Sequence, residues 1–410
     1  MNLKLDKSEL QFASISISGS KSETNRALLL QALFPELQIE NASNSDDSEI
    51  MQKALQDFQF STNFQHIDVH HAGTAMRFLT AFFAIQEGKE VVLTGSKRMQ
   101  ERPVKILVDA LNRLGAEIIY EEKEGFPPIR IKGKKDFKSS VTISANVSSQ
   151  YISALLLIAP KLENGLELTL EGEITSGSYI KMTLALLNEI GIQTSFIGNK
   201  IKVSPCKSIS TSKISIESDW SSASYWYSLI ALSRIGSQVT LSNFKESSLQ
   251  GDSILVEIYK DFGVETIFNK NNFITITKVK KSVIAAVDYQ LVNAPDIAQT
   301  IAVTCFGLGI GCSLFGLHTL KIKETDRLEA LKNELTKLGA SVFITNDSFH
   351  LEKASKIKSD KSIVTYQDHR MAMAFAPLAL RVPIEIQEAE VVSKSYPNFW
   401  DDLRVVGVKL

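Results

Sequence analysis

The chain has 410 residues, more than one hydrophobic core usually serves, so two domains of about 200 residues are expected. Its 45 Lys and Arg balance its 46 Asp and Glu, and the net charge of −1 excludes a broad basic surface for nucleic acid. With 44% hydrophobic and 22% charged residues, the composition is typical of a soluble globular protein.

Nothing in the sequence indicates export or a membrane span. The start, MNLKLDKSEL, lacks the apolar core of a signal peptide, and the long uncharged run from Ile301 to Leu317 is interrupted by glycines. That run predicts a buried helix, a Gly turn and a buried strand. The odd set of Cys206, Cys305 and Cys312 lacks metal spacing and suits a reducing compartment. We therefore expect a cytoplasmic protein.

Six polar or Gly/Ser-containing segments along the chain each lead into an apolar run of helical period. They are SGSKSETNRALLL from Ser18, HAGTAMRFLTAFF from His71, NVSSQYISALLL from Asn146, DWSSASYWYSLIAL from Asp219, APDIAQTIAV from Ala294 and QDHRMAMAFAPLAL from Gln367. Most of them carry a residue that can hold an anion or move a proton: Lys21 and Arg26, Arg77, Gln150, Asp219, Asp296, His369 and Arg370. Helix starts offer unpaired N–H groups and a positive dipole end, so several starts that meet would bind phosphate and carboxylate groups.

A second landmark supports a repeat. Four amphipathic stretches end at Gly115, Gly191, Gly263 and Gly339, about 75 residues apart, and each is followed by a strand-like segment. The repeated unit is roughly strand, helix, strand, helix, strand, and six copies fill the chain. Because this period is too long for common solenoids, α/β units grouped into two domains are expected.

The predicted domains are residues 13–217 and residues 1–12 with 218–410. The crossing after three repeats is placed near Ser215 to Ser218, and the first strand-like stretch, Leu3 to Leu10, is assigned to the C-terminal half. The chain would then cross twice between domains, which suits a hinge that closes over ligand.

The densest group of charged residues is LKIKETDR, Leu320 to Arg327. In a helix that begins near Lys323, Lys323 and Arg327 would share a face and bind an oxyanion, leaving Glu324 for proton transfer. The alternative is a solvated helix start with salt-bridged ends.

The segment SGSKSETNR resembles the end of a phosphate loop, but the pattern fails because Ser14 stands where a Gly is required. Lys21, Ser22 and Arg26 still suit a phosphate or carboxylate, or the segment is an ordinary N-cap.

Three further groups of residues leave alternatives open. Ser148, Ser149 and Gln150 either cap a helix or present hydroxyls to a phosphate, and Gly73 permits close approach of a ligand or makes a tight turn. Arg102 precedes Pro103 at a helix start. The set His66, His70 and His71 lacks a matching second cluster, so no metal site is expected.

Nine segments in order make the sequence resemble the 5-enolpyruvylshikimate-3-phosphate synthase family. They are GSKSETNRALLL, AGTAMRFL, LTGSKRMQERPVKILVDAL, VSSQYISALLL, SDWSSASYW, PDIAQTIAV, IKETDRLEAL, YQDHRMAMAFA and SKSYPNF. The resemblance implies an α/β fold of two similar domains, each of three βαβαββ-type repeats, with the active site in the interdomain cleft.

The implied reaction is addition of the 5-hydroxyl of shikimate 3-phosphate to phosphoenolpyruvate, followed by elimination of phosphate. By resemblance, Asp296, Glu324 and Lys21 are catalytic: Asp296 as base near the 5-hydroxyl, and Glu324 at the methylene carbon with Lys21 alongside. Phosphoenolpyruvate contacts fall on Lys21, Gly73, Arg102, Gln150, Arg327, Arg370 and Lys394. Shikimate 3-phosphate contacts fall on Lys21, Ser22, Arg26, Ser148, Ser149, Gln150, Ser176, Tyr179, Asp296 and Lys323.

Both substrates are small anions, and the implied chemistry uses fixed cations and helix dipoles without a cofactor or metal. We expect a monomer without nucleic-acid or membrane partners. The sequence departs from the family at His71, Phe78 and Gly177-Ser178, which affects affinities more than reaction class. Because Gly73 is retained, inhibition by the phosphoenolpyruvate mimic glyphosate is expected.

Two rival interpretations are weighed. UDP-N-acetylglucosamine enolpyruvyl transferases use a Cys in a mobile loop, whereas Cys206, Cys305 and Cys312 occupy no matching loop. A catalytically silent paralogue that binds anionic metabolites is disfavoured because Asp296, Glu324 and Lys21 are retained.

Overall fold

A computed structural model describes residues 1–59, 64–145, 148–172, 174, 177–354 and 356–410. Within these ranges the chain divides into two units, Gly19–Ile216 and Met1–Ser18 with Glu217–Leu410. Each unit is an assembly of helices and small sheets.

The structure describes thirteen α-helices, of which those that begin at Lys21, Gly73, Ser149, Trp220, Ala298 and His369 start within the six polar segments of the sequence. The thirteen helices are α1 (Lys21–Leu33), α2 (Asp46–Gln59), α3 (Gly73–Ala84), α4 (Lys97–Gln100), α5 (Lys105–Leu114), α6 (Ser149–Ile158), α7 (Gly177–Glu189), α8 (Trp220–Leu232), α9 (Leu255–Asp261), α10 (Ala298–Leu308), α11 (Arg327–Lys337), α12 (His369–Phe375) and α13 (Phe399–Val405). Asp219 caps α8 by accepting from Ser222 N at 2.9 Å, as an N-cap aspartate does. The predicted glycine stops are confirmed, for example Gly115 after α5 with φ 122°.

The strands are short. They are β1 (Leu3–Leu5), β2 (Ala13–Ile15), β3 (Gln38–Glu40), β4 (Phe64–Asp68), β5 (Glu90–Thr94), β6 (Glu117–Tyr120), β7 (Ile129–Lys132), β8 (Ser140–Ser144), β9 (Leu166–Glu171), β10 (Thr194–Ile197), β11 (Lys200–Val203), β12 (Lys213–Ser215), β13 (Gln238–Leu241), β14 (Val264–Phe268), β15 (Ile274–Lys278), β16 (Ala286–Gln290), β17 (Gly311–Phe315), β18 (Val342–Ile344), β19 (Ser348–Leu351), β20 (Lys361–Ile363) and β21 (Ile384–Ile386).

The sheets of the Gly19–Ile216 unit repeat one connection pattern. Two four-stranded sheets have the orders β4-β5-β7-β6 and β8-β9-β11-β10. In both, the first pair is parallel and the last two pairs are antiparallel, as in βαβαββ. The third sheet is the parallel pair β3 and β12, a shortened repeat in which the last strand of the unit pairs with the first.

The other unit contains the same pattern. The orders β2-β13-β15-β14 and β16-β17-β19-β18 each place one parallel pair before two antiparallel pairs. The last sheet is β20-β21-β1, in which β1 returns from the chain start to pair antiparallel with β21. The predicted α/β repeats are therefore confirmed, with the first and last repeats shortened.

Two local expectations require correction. Strand β2 pairs with β13, so residues from Ala13 belong with the C-terminal half, and the first crossing follows Ser18 rather than residue 12. Helix α11 begins at Arg327 rather than near Lys323, because the Asp326 carboxylate accepts from Leu328 N and Glu329 N and thereby caps the helix there.

Each unit has its own hydrophobic core, built around helices that are buried on nearly every side. In α8 every residue except Ser221 is buried, and α10 is buried from Ala298 to Gly307. The run from Ile301 to Leu317 forms part of α10, a left-handed turn at Gly309 and strand β17, as predicted. Among the described residues, no helix is both long and apolar enough to span a membrane.

Candidate active site

Arg327, the first residue of α11, is the centre of one buried cluster; its side chain is 2% exposed. Its guanidinium donates to three carboxylates: Nε to Asp368 Oδ2 at 2.6 Å, Nη1 to Asp296 Oδ1 at 2.8 Å and Nη2 to Glu324 Oε2 at 2.8 Å. Burial alone would lower the pKa of Arg327, but the charges of Asp368 and Glu324 raise it above its usual value. The guanidinium therefore stays charged and fixes the three carboxylates around it.

Asp296 lies in a short 3-10 helix, Pro295–Ile297, directly before α10. Its carboxylate also lies 3.5 Å from Lys323 Nζ and 3.4 Å from Arg370 Nη2. Burial would raise the pKa of Asp296, but the charges of Arg370, Lys323 and Arg327 hold it well below its usual range. Asp296 is thus a buried carboxylate held ionised by three cations.

Arg370 is the second residue of α12, and Asp368 caps that helix by accepting from Arg370 N at 2.9 Å. The Arg370 guanidinium donates to the carbonyl of Asp296 at 3.1 Å and to Ser221 Oγ at 3.3 Å. Burial would lower the pKa of Arg370, but Asp296 raises it well above its usual value. This cation is therefore fixed at a helix start, where backbone N–H groups add further positive potential.

The remaining predicted residues of this unit lie nearer its surface. Lys323 has a side chain 26% exposed, and burial lowers its pKa against the opposing charge of Asp296. Glu324 has a side chain 24% exposed, so its carboxylate is accessible while Arg327 holds it. Lys394, at the end of a 3-10 helix, donates to the carbonyl of Gln367 at 2.8 Å.

In the Gly19–Ile216 unit, Lys21 opens α1 and forms an ion pair with Asp47 of α2 at 3.1 Å. The other Asp47 oxygen lies 3.3 Å from His71 Nε2, and His71 Nδ1 lies 2.8 Å from His70 Nδ1. Burial would raise the pKa of Asp47, but the charge of Lys21 and the contact with His71 hold it below its usual value. Of the three histidines considered in the sequence, His71 thus contacts the Lys21–Asp47 pair and His70 contacts His71.

Arg26 lies one helical turn further along α1 and is 2% exposed. It donates to Thr183 Oγ1 at 2.8 Å, to Ser153 Oγ at 3.0 Å and to the carbonyls of Ser22 and Tyr179. Its guanidinium lies 5.3 Å from the ring centre of Phe78, so this departure from the family supplies a cation–π contact. Burial lowers the pKa of Arg26 to about 10.

Gly73, Arg102 and Arg77 meet at the start of α3. A β carbon on Gly73 would lie 2.4 Å from Arg102 Nη1, so any larger residue there would displace the Arg102 guanidinium. Arg77 donates to the carbonyls of Gly73 at 3.1 Å and Pro103 at 2.9 Å. Burial, and then the charge of Arg102, lowers the pKa of Arg77 to about 10. Arg77 and Arg102 form no ion pair with any described residue, so a bound anion would supply the counter-charge that their guanidinium groups lack.

The hydroxyl and amide groups predicted to contact ligand lie at neighbouring helix starts. Ser148 caps α6 through Gln150 N at 3.4 Å, and Gln150 Nε2 donates to Thr74 Oγ1 at 3.1 Å. Ser149 is buried, whereas Ser22 on α1 and Tyr179 on α7 are half-buried. Ser176 lies outside the described residues, as does the start of the segment from Asn146.

Sequence reasoning missed the carboxylates that hold the predicted cations. Asp47 pairs with Lys21, Asp368 pairs with Arg327, and Asp252 accepts from Ser221 beside Arg370. The DHR string shows an acid before Arg370 and could have indicated the α12 cap. Asp47 reaches Lys21, and Asp252 reaches Ser221, only through tertiary folding, so no local sequence pattern indicates either contact.

Comparison with known sequences identifies relatives over nearly the whole chain. A family model described as "EPSP synthase (3-phosphoshikimate 1-carboxyvinyltransferase)" matches residues 58–403. A 3-phosphoshikimate 1-carboxyvinyltransferase from Bacteroides fragilis is 45% identical over 402 residues, covering 96% of this chain and 95% of the relative. Another from Haemophilus influenzae is 34% identical, covering 96% of each.

Solved structures share the fold at lower identity. An EPSP synthase from Acinetobacter baumannii superposes with a TM-score of 0.79 at 21% identity, covering 100% of this chain and 98% of that one. The enolpyruvyl transferase NikO from Streptomyces tendae gives a TM-score of 0.74 at 12% identity, covering 100% and 98%.

Proposed function

Since the chain belongs to the EPSP synthase family, we propose that it transfers the enolpyruvyl group of phosphoenolpyruvate to the 5-hydroxyl of shikimate 3-phosphate. The 5-hydroxyl oxygen bonds to C2 of phosphoenolpyruvate while C3 gains a proton. The tetrahedral adduct then loses a proton from its C3 methyl group as the C2–O bond to phosphate breaks, which releases inorganic phosphate. This places the enzyme in the shikimate pathway to the aromatic amino acids.

The observation that carries the proposal is the ionised Asp296 carboxylate held by Lys323, Arg327 and Arg370. With those cations uncompensated by ligand, Asp296 is a weak base. Anionic substrates that bind Lys323 and Arg370 offset their charge, which raises the proton affinity of Asp296. The 5-hydroxyl thus meets a stronger base only when both substrates are bound.

Glu324 and Lys21 are assigned to the proton that moves on and off C3. Glu324 combines an accessible carboxylate with an anchoring bond from Arg327, so its direction is fixed without loss of access. Lys21 brings an ammonium group, held by Asp47, that offsets negative charge on the adduct.

The remaining assignments follow residue type. Gly73, Arg102, Gln150, Arg327, Arg370 and Lys394, with Lys21, are proposed to bind phosphoenolpyruvate. Ser22, Arg26, Ser148, Ser149, Gln150, Ser176, Tyr179 and Lys323, with Lys21 and Asp296, are proposed to bind shikimate 3-phosphate. Two phosphates and two carboxylates need concentrated cations, which a chain of net charge −1 supplies locally.

A single copy of the chain carries every residue assigned to the reaction, which supports a monomer. All three cysteines are free, which supports a reducing cytoplasmic location. Analytical ultracentrifugation with and without both substrates measures the oligomeric state.

A phosphate-release assay with both substrates tests the proposed function. Turnover with shikimate 3-phosphate, and none with UDP-N-acetylglucosamine as acceptor, supports it. Turnover only with the nucleotide sugar would assign the rival transferase, and binding without turnover would indicate a silent paralogue.

Glu324→Gln tests the proton-transfer assignment. General acid–base groups typically contribute about 10²–10⁴ in rate, so turnover is expected to fall by about that factor while the tetrahedral adduct accumulates on quenching. Glu329→Gln, on the exposed face of the same helix start, is the matched control and keeps wild-type turnover. Unaltered turnover in Glu324→Gln would refute the assignment.

A further inference from the structure

Two residues without a role in the sequence analysis, Ser221 and Asp252, form a chain of hydrogen bonds that ends at Arg370. Arg370 Nη2 donates to Ser221 Oγ at 3.3 Å, and Ser221 Oγ in turn donates to Asp252 Oδ2. Ser221 is the second residue of α8, and Asp252 lies in the 3-10 helix Gly251–Ile254 before α9. A single hydroxyl therefore links a buried carboxyl to the guanidinium.

The segment that carries Asp252 is fixed to the start of α8. Gln250 Oε1 accepts from Trp220 N at 2.9 Å, and Gln250 Nε2 donates to the carbonyl of Ser218 at 2.9 Å. Asp252 itself is 6% exposed. Because both ends of the link are immobilised, a change at Asp252 is transmitted to Ser221 and Arg370 rather than absorbed by loop movement.

Three charged groups face Asp252 from separate elements: Asp296 before α10, Arg370 on α12 and the N-cap Asp219 of α8. Burial, and then the charge of Asp296, raises the pKa of Asp252 to about 7, against the opposing charge of Arg370. The carboxyl therefore changes charge near neutral pH.

We propose that Asp252 is a positioning residue that holds Arg370 through Ser221 and sets the affinity of that guanidinium for phosphoenolpyruvate by its own charge. The inference rests on the proposed function, in which Arg370 binds this anion. Neutral Asp252 leaves the guanidinium available to the ligand. Ionised Asp252 adds a negative charge beside Arg370, which opposes a second anion, so the KM for phosphoenolpyruvate rises as pH passes through neutrality.

The test uses Asp252→Asn and Ser221→Ala, with Glu257→Gln on the exposed side of α9 as matched control. Phosphate release is measured from pH 6 to 8.5 with phosphoenolpyruvate varied and shikimate 3-phosphate saturating. From pH 6 to 8.5 the wild-type KM for phosphoenolpyruvate is expected to rise about three- to tenfold more than the KM of Asp252→Asn rises over the same range. Ser221→Ala raises KM about fivefold at every pH while kcat changes less than KM, and the control follows the wild type.

Calorimetric binding of glyphosate, the phosphoenolpyruvate mimic that carries no enolpyruvyl group to transfer, in the presence of shikimate 3-phosphate at pH 6 and 8.5 separates the two proposals. If the wild type binds without turnover, the proposed reaction fails but the Kd values still test the link. The inference is overturned if Asp252→Asn keeps the wild-type pH dependence of both KM and Kd. It is also overturned if Ser221→Ala, folded by its melting profile, binds as the wild type does.

Discussion

Substituting Asp368 should destabilise the unit that contains it more than any surface change, because two separate interactions depend on one carboxylate. Asp368 is fully buried and accepts from Arg327 Nε at 2.6 Å. Removing one partner of a buried ion pair costs about 3–5 kcal/mol; here Arg327 keeps Asp296 and Glu324, but its buried Nε–H is left without an acceptor. The same carboxylate caps α12 through Arg370 N, and loss of an N-cap costs about 1 kcal/mol. If the losses add, Asp368→Ala costs about 4–6 kcal/mol.

Asp368→Asn separates the two terms, because asparagine keeps a capping oxygen but removes the charge. Its expected cost is about 3–5 kcal/mol, close to the ion-pair term alone. Asp401→Ala, which breaks an exposed pair with Arg404, is the control and should cost at most about 1 kcal/mol.

Urea unfolding followed by tryptophan fluorescence measures these differences in the relevant unit. Trp220, Trp226 and Trp400 are the only tryptophans of the sequence, and all lie in the unit of Met1–Ser18 and Glu217–Leu410. A loss of about 4–6 kcal/mol is a large part of the 5–15 kcal/mol typical of a domain. If Asp368→Ala costs no more than Asp401→Ala, the carboxylate is not the partner on which Arg327 depends.

Three further outcomes are expected. Gly73→Ala displaces Arg102, because Arg102 Nη1 would lie 2.4 Å from the new β carbon. In steady-state kinetics the KM for phosphoenolpyruvate should therefore rise at least about tenfold, and glyphosate should inhibit less. Asp47→Asn removes the partner of Lys21. Because the folded-state pKa of Asp47 lies below its unfolded value, the variant should have a lower free energy of unfolding than the wild type at pH 7. This difference should disappear as pH falls below about 4, where the wild-type carboxylate becomes protonated. The folded-state pKa of Asp252 lies near 7, above its unfolded value, so its contribution to the free energy of unfolding of the wild type should fall by about 2–4 kcal/mol as pH rises from 4 to 7. Asp252→Asn should lack this fall, and urea unfolding of both proteins at both pH values measures the difference. Equal pH dependence of the two proteins would refute that sign.

Most of the helix starts named in the sequence analysis could be predicted because the residues that specify them are adjacent in the sequence. A capping residue such as Asp219, followed by an apolar run, specifies where a helix begins whatever it packs against. The same applies to the glycine stops, since only a residue tolerant of positive φ fits there. Local chemistry is thus sufficient to place Lys21, Arg370 and Asp296 at or beside helix starts.

Pairings between distant strands could not be predicted. Strand β12 pairs with β3, and β2 with β13, through partners roughly two hundred residues apart. Strands of three or four residues show too few alternations to fix register or partner. The start of α11 was missed for a related reason: both Lys323 and Arg327 suit a first helical turn, and only the bonds of Asp326 decide between them.

The buried arginines of the two units are held in different ways, and this difference bears on the proposed binding of ligand. Arg327 and Arg370 are surrounded by carboxylates that raise their pKa values, so their burial is compensated within the protein. Arg26 and Arg77 donate to hydroxyls, carbonyls and sulfur, and burial lowers their pKa values to about 10.

A buried guanidinium without a counter-charge is costly, and an anion that supplies one recovers part of that cost. Among the described residues of the Gly19–Ile216 unit, Arg26 and Arg77 form no ion pair, so an anionic ligand bound as proposed would supply counter-charge to them and stabilise that unit by mass action. In the other unit the carboxylates already supply the counter-charge, so on the proposed assignments ligand binding there would change chiefly the proton affinity of Asp296. The proposal thus assigns stabilisation by ligand and activation of the base to different parts of one chain.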